Sequence, residues 1–189
     1  MARDKKGALK RSATIVFHDE FGVSMKPSVR RTWALRGKTP ILKHRCSWKK
    51  VNAIANIVCQ PDGTYRLLLH WQELTINEQT IIEHLDRLHR EVLGPVVLLW
   101  DGLSSHHSKL VQAYLLEGRD WLTVVRMPPY TPDLNPVEYF NAAAKGKDLA
   151  NYCPDTTAQI EERLRAAQER IGGDQMLLAG FLRASGLYD

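Results

Sequence analysis

Asp19, Asp101 and Glu138 are the residues whose type and setting could carry chemistry. Asp19 closes "SATIVFHD", a β-branched and aromatic run that reads as a short buried strand with Asp19 and Glu20 at its C-terminal end. Asp101 follows "PVVLLW", a continuous apolar run of the kind found in a strand covered on both faces. Glu138 opens a helical pattern behind Pro128, Pro129, Pro132 and Pro136. Each proline fixes its own φ and restrains its neighbour, so this approach is stiff and delivers Glu138 to a defined place. In sheets with helices on their faces, sites gather at the carboxyl ends of strands. Three carboxylates meeting there without basic partners repel one another, and the usual relief is a hard divalent cation, Mg²⁺ or Mn²⁺. Two such ions could activate a water or a 3′-hydroxyl and stabilise the leaving oxygen of a phosphodiester.

Each acid also has a plain structural reading. Asn135 as N-cap, Pro136 at N1 and Glu138 at N3 fit a capping box. Asp101 before Gly102 fits a turn, and Asp19 fits a strand end. The case for a site rests on all three together.

The elements that must position these acids follow from pattern. "KKVNAIANIVCQ" and "TYRLLLHWQ" flank "PDG" and predict an antiparallel hairpin. "TINEQTIIEHLDRLHREVLG" has Ile81, Ile82, Leu85, Leu88 and Val92 at helical spacing, with Gly94 as C-cap. A strand ending at Asp101, the helix "HSKLVQAYLLEGRD", the strand "WLTVVRM" and the Glu138 helix follow, and two amphipathic segments close the chain. Three consecutive strands and then alternating helices and strands imply an α/β fold with a mixed sheet of about five strands and helices on both faces. A phosphoacceptor receiver domain, which alternates strand and helix throughout, does not fit that order.

The 189 residues suit one domain core. No apolar run is long enough for a membrane span, and the basic start lacks the apolar segment of a signal peptide, so a cytoplasmic protein is expected. Cys46, Cys59 and Cys153 lack paired spacing and read as buried thiols. Residues 1–50 hold 14 Lys/Arg against 3 Asp/Glu, and the remaining 139 hold 12 against 18. A basic third beside an acidic remainder suggests a polyanion-binding surface next to a carboxylate site, with nucleic acid as the leading partner and a solvated basic tail as the plain alternative.

The blocks "FHDEFG", "RRTWALRGKTP", "LLWDGLSSHHS" and "MPPYTPDLNPVEYFNAAAK" resemble, in order and spacing, the catalytic domain of DDE transposases of the Tc/mariner superfamily. The likeness is strongest to the bacterial insertion-sequence branch called the six-thirty family. It covers roughly residues 12–150, with a basic tail over 1–11 and a helical extension over 151–189. The resemblance implies a ribonuclease H-like fold, metal-dependent cleavage and strand transfer at insertion-sequence ends, and Asp19, Asp101 and Glu138 as a catalytic triad holding two Mg²⁺ or Mn²⁺ ions. Thirty-six residues separate the last two acids. It also implies transposon-end and target DNA as partners, action as a homodimer, and nucleoid association in a bacterial cell. Two positions depart from the family pattern, with Gly102 in place of Asn and Asn141 in place of Trp. A helix-turn-helix region normally precedes this domain, and nothing before Ser12 could supply one, so a fragment or one product of a split gene is expected.

Further candidates surround the triad. Arg30, Arg31, Arg36 and Lys38 flank Trp33 in an expected hairpin and suit phosphate contacts, with Trp33 expected in the core. His106 matches the family histidine and suits a phosphate or a metal-bound water, whereas His107 is expected to have no role. Lys145, two helical turns after Glu138, suits a DNA phosphate. Glu20 should face away from Asp19. Zinc binding by His84 and His89 is disfavoured, since their spacing sets them on different helix faces. Two other activities stand beside strand transfer: a ribonuclease H-like nuclease that does not join ends, and an inactive remnant kept for DNA binding or dimerisation.

Overall fold

Alternation along a single strand organises the molecule. A computed structural model describes residues 12–45, 47–72, 75–117 and 120–187, so the basic tail over 1–11 and Cys46 lie outside the described residues. The strands are β1 (Thr14–Ser24), β2 (Lys50–Cys59), β3 (Tyr65–Gln72), β4 (Val96–Trp100) and β5 (Leu122–Arg126), in the order β3-β2-β1-β4-β5. β1 to β3 are mutually antiparallel, and β4 and β5 continue the sheet in parallel with β1. This is the mixed five-stranded sheet expected from the sequence.

Ile15, Phe17 and Phe21 of β1 face one side. There they pack with Val97 and Leu99 of β4, Val137 and Phe140 of α3 (Pro136–Ala143), Ile160 and Leu164 of α4 (Thr157–Gly172), and Leu178 and Leu182 of α5 (Gln175–Ala184). Val16 faces the other side, with Leu98 and Trp100 of β4, Ile81, Leu85 and Leu88 of α1 (Glu78–Glu91), and Val111 and Tyr114 of α2 (Lys109–Leu116). A one-residue step reverses the face, so Asp19 goes with Phe17 and Glu20 with Val16. The two helices expected as an extension, α4 and α5, thus share the core with the sheet. Each fully buried Leu or Ile there contributes about 1.5–3 kcal/mol.

Turn chemistry behaves as expected at the β2–β3 hairpin. Gln60 and Thr64 are joined by a backbone hydrogen bond of 2.9 Å, and Gly63 supplies a φ of +85° that other residues avoid. The cap of α1 is Asn77, which accepts from the Gln79 and Thr80 amides while the Thr80 hydroxyl accepts from the Asn77 amide. The helix ends at Glu91, three residues before Gly94, because Val92 is already extended.

Two expectations are corrected. β1 does not stop at the acids. It runs on to Ser24 because β2 pairs along it from Ile15↔Cys59 to Ser24↔Lys50. Gly22, which looks like a strand terminator, lies inside the strand, where a Cβ would meet Asn52 Oδ1 at 3.1 Å. Residues 30–38 do not form a hairpin either. Described residues 29–45 are all exposed and without strand pairing, and Trp33 is fully exposed rather than in the core. The segment is an extended arm whose base is tied down by Asn151, whose amide donates to the Ser28 carbonyl and whose Oδ1 accepts from the Arg30 amide.

Candidate active site

Parallel pairing of β1 and β4 brings the first two acids together. The register ends at Phe17↔Leu99, and two more residues along each strand lead to Asp19 and Asp101 on the α3 face of the sheet. The acids line one open cleft of about 410 Å³ with Glu138, walled by Met127, Pro128, Pro129 and Pro132 and rimmed by Tyr130. Tyr130 is held at φ +58° with its ring fully exposed.

Glu138 reaches the cleft because Asn135 docks α3 onto β1. Asn135 Oδ1 accepts from the Val137 amide, the N-cap contact, while its Nδ2 donates to the His18 carbonyl at 3.0 Å. The expected capping box does not close, since the Asn135 amide donates to Pro132 O. Glu138 instead accepts a long contact, 3.4 Å, from Asn141 Nδ2, which also donates to Asp19 Oδ2 at 2.7 Å. Asn141 was legible only as a departure from the family pattern. The available signal was its i+3 spacing from Glu138, which puts both on one helix face.

Asp19 is 9% exposed. Burial, with Glu138, Glu20 and Asp101 adding repulsion, pushes its carboxyl up to about 8, against the lowering effect of the Asn141 hydrogen bond. Such a group gives up its proton readily only when a cation takes its place, so the carboxylate set fits a hard divalent ion. Asn141 Oδ1 is also buried without a partner beside these carboxylates.

On the reverse face of β1, Glu20 Oε1 accepts from His106 Nε2 at 2.8 Å and His18 Nε2 at 3.2 Å. Burial alone would raise Glu20, but the two histidines overcome it and hold the carboxyl well below its ordinary range. His106 Nδ1 meets the Asp101 carbonyl at 3.1 Å and Asp101 Oδ1 at 3.2 Å. Burial would lower this imidazole, but Asp101 and Glu20 raise it to about 9. The Trp100 ring stacks on it at 4.1 Å.

His106 is fully buried, which corrects the expected phosphate contact: both ring nitrogens are engaged and the ring positions Asp101 from behind. Glu20 faces away from Asp19 as expected, and His107 is exposed. Lys145 lies outside the carboxylate cleft. A π turn over Ala144–Asp148 breaks the α-helical register, and Lys145 sits 5.9 Å from the centre of the Phe21 ring in a neighbouring groove with Ser24, Lys26 and Tyr152. Arg30, Arg31, Arg36 and Lys38 are exposed on the arm and do not line the cleft. His84 is buried against His70 while the exposed His89 stacks on Trp121, consistent with different helix faces.

The model of the DDE superfamily endonucleases matches residues 14–161. The chain belongs to that superfamily. The DDE domain has the fold of the Mos1 mariner transposase catalytic domain, which is ribonuclease H-like. It superimposes on the mariner Mos1 paired end complex with Mg at TM-score 0.66 and 19% identity, covering 98% of this chain and 56% of that one. For the Mos1 strand transfer complex the values are 0.64, 20%, 98% and 53%. For the crystal structure of the Mos1 catalytic domain alone they are 0.58, 19%, 98% and 80%. The chain thus spans about half the length of the Mos1 chains in those complexes. No curated protein matches it. No helix among the described residues is long and apolar enough to cross a membrane.

Proposed function

We propose that the chain is the catalytic domain of a Tc/mariner-type transposase, cutting DNA at insertion-sequence ends and joining the freed 3′-hydroxyl to target DNA. The observation that carries this reading is the meeting of Asp19, Asp101 and Glu138 in one cleft on one face of the sheet. These three residues would hold Mg²⁺ or Mn²⁺, two ions in the full reaction, which supply activation of the attacking oxygen and stabilisation of the leaving one. Asn141 orients Asp19 and Glu138 toward each other, and His106 fixes Asp101 through its carbonyl and carboxylate. The proline wall keeps the entry of α3 rigid. Tyr130 offers a ring at the rim on which an unpaired base can stack.

The arm is suited to the DNA backbone. Residues 21–61 contain nine Lys/Arg and no Asp or Glu. Arg30, Arg31, Arg36 and Lys38 contact phosphates without reading bases, Lys145 extends that contact along the neighbouring groove, and the domain acts as a homodimer on two transposon ends.

The test is incubation of the chain with plasmid DNA and Mg²⁺ or Mn²⁺, scoring nicking and end joining for wild type and Asp101→Asn. Metal-dependent nicking and joining, both lost in the variant, are expected. Nicking without joining would make the domain a nuclease, and binding without either would make it an inactive remnant.

A further inference from the structure

The histidines behind β1 present an arrangement that the carboxylate chemistry does not use. All four ring nitrogens of His18 and His106 face oxygen: both Nε2 atoms face Glu20 Oε1, His106 Nδ1 faces Asp101, and His18 Nδ1 faces Asn56 Oδ1 at 3.1 Å. The two rings lie 5.7 Å apart and both Nε2 atoms converge on the same Glu20 oxygen, the convergence that a single ion held by all three side chains requires.

We propose that His18, Glu20 and His106 form a buried zinc site, separate from the carboxylate cleft, that staples the loop bearing Asp101 to β1. One ring nitrogen of each histidine and a Glu20 oxygen lie within 4.8 Å of one another, and both Nε2 atoms contact Glu20 Oε1. Zn²⁺ bonds of about 2.0–2.2 Å to nitrogen and oxygen set ligand separations of about 3.3 Å in a tetrahedron. The His18–Glu20 contact is 3.2 Å and the His106–Glu20 contact 2.8 Å, both near that separation.

Two further features point to a ligand. Glu20 Oε2 is buried without a partner, on a side chain only 7% exposed, and is free to complete the coordination as a second carboxylate oxygen. Each histidine also directs its other ring nitrogen at an oxygen acceptor, the arrangement that fixes tautomer and orientation in metal-binding histidines. Imidazole ligands favour Zn²⁺ over Mg²⁺, which separates this site chemically from the all-oxygen cleft. The role is structural: the ion ties His106 to β1, and His106 in turn holds Asp101. This geometry stands whether or not the cleft carries out transposition.

The experiment is metal analysis of the full chain purified from zinc-supplemented expression and dialysed against excess Mg²⁺, for wild type, Glu20→Gln and the double variant Asp19→Asn/Glu138→Gln. Wild type and the double variant should retain one zinc per chain, while Glu20→Gln, nearly isosteric, should bind at least about tenfold more weakly. X-ray absorption at the zinc edge of wild type should show two imidazole nitrogens next to the ion, a readout that does not depend on the variant folding. Zinc-free folded wild type, an all-oxygen environment, or loss of zinc only in the double variant would overturn the proposal. Failure of nicking with zinc retained would count against transposition and leave this site standing.

Discussion

At the scale of single residues, the triad is distinguished from ordinary surface acids by what surrounds it. Asp101→Asn removes one member of the carboxylate set but also the charge that faces His106, so it should abolish metal-dependent cleavage at only a modest cost in metal-free Tm. Thermal unfolding in chelator checks this, and a large loss of Tm would assign Asp101 a structural role. Asn141→Ala removes the donor that lowers Asp19 toward ionisation, so Mn²⁺ affinity at fixed pH should fall by about tenfold, as for other groups that orient metal ligands. Asp19 also sets a pH dependence. Its folded value near 8 lies above the ordinary 3.8, so the folded metal-free chain keeps a proton that the unfolded chain has lost. The Asp19 contribution to stability is therefore fully present below about pH 4 and declines as pH rises through about 8. Metal binding must displace that proton, so the stabilisation by a fixed Mg²⁺ concentration should grow over the same rise, which paired melting curves with and without metal would show.

Among the elements, the docking of α3 decides whether Glu138 reaches its partners. Asn135→Ala removes both the cap and the buried bond to the His18 carbonyl, at a cost of about 2–3 kcal/mol. The expected fall in Tm is roughly 5–10 °C, with cleavage reduced beyond what the lost stability explains. A Tm unchanged within error would show that the prolines place α3 unaided. This level also shows what could be read in advance. The β2–β3 hairpin and the five-strand order were legible because turn residues and hydrophobic period are local. The meeting of Asp19, Asp101 and Glu138 in one cleft was legible because strand ends, the proline approach and the family blocks coincide on the same three acids. The full length of β1 was not, because pairing with β2 across a long excursion carries the strand past Gly22. The arm was misread as a hairpin because its Trp and Arg pattern is compatible with strands, and only the absence of a pairing partner leaves it open. His106 was misplaced because burial against Trp100 and Glu20 depends on the face of a strand 86 residues away in sequence.

Over the whole molecule, charge and chemistry occupy different places, with the cations on an exposed arm and the carboxylates in a cleft. Affinity for duplex DNA should therefore be nearly indifferent to sequence and should fall steeply with salt, since counterion release scales with the phosphates neutralised. Replacing Arg30, Arg31, Arg36 and Lys38 together should weaken binding equally on a terminal repeat and a scrambled duplex and flatten the salt slope. Changing Glu138 should leave that slope unchanged. A preference for the repeat above about a hundredfold, about 2.7 kcal/mol, would show that the arm reads bases. The central claim, that Asp19, Asp101 and Glu138 together hold a divalent cation, is tested most directly by following the free Mn²⁺ electron paramagnetic resonance signal as protein is added near pH 8. Wild type should deplete free Mn²⁺, while Asp101→Asn and Glu138→Gln, both folded, should not. Equal depletion by all three, or none by wild type at Mn²⁺ concentrations up to about 10 mM, above the range of even weak hard-cation sites, would contradict it.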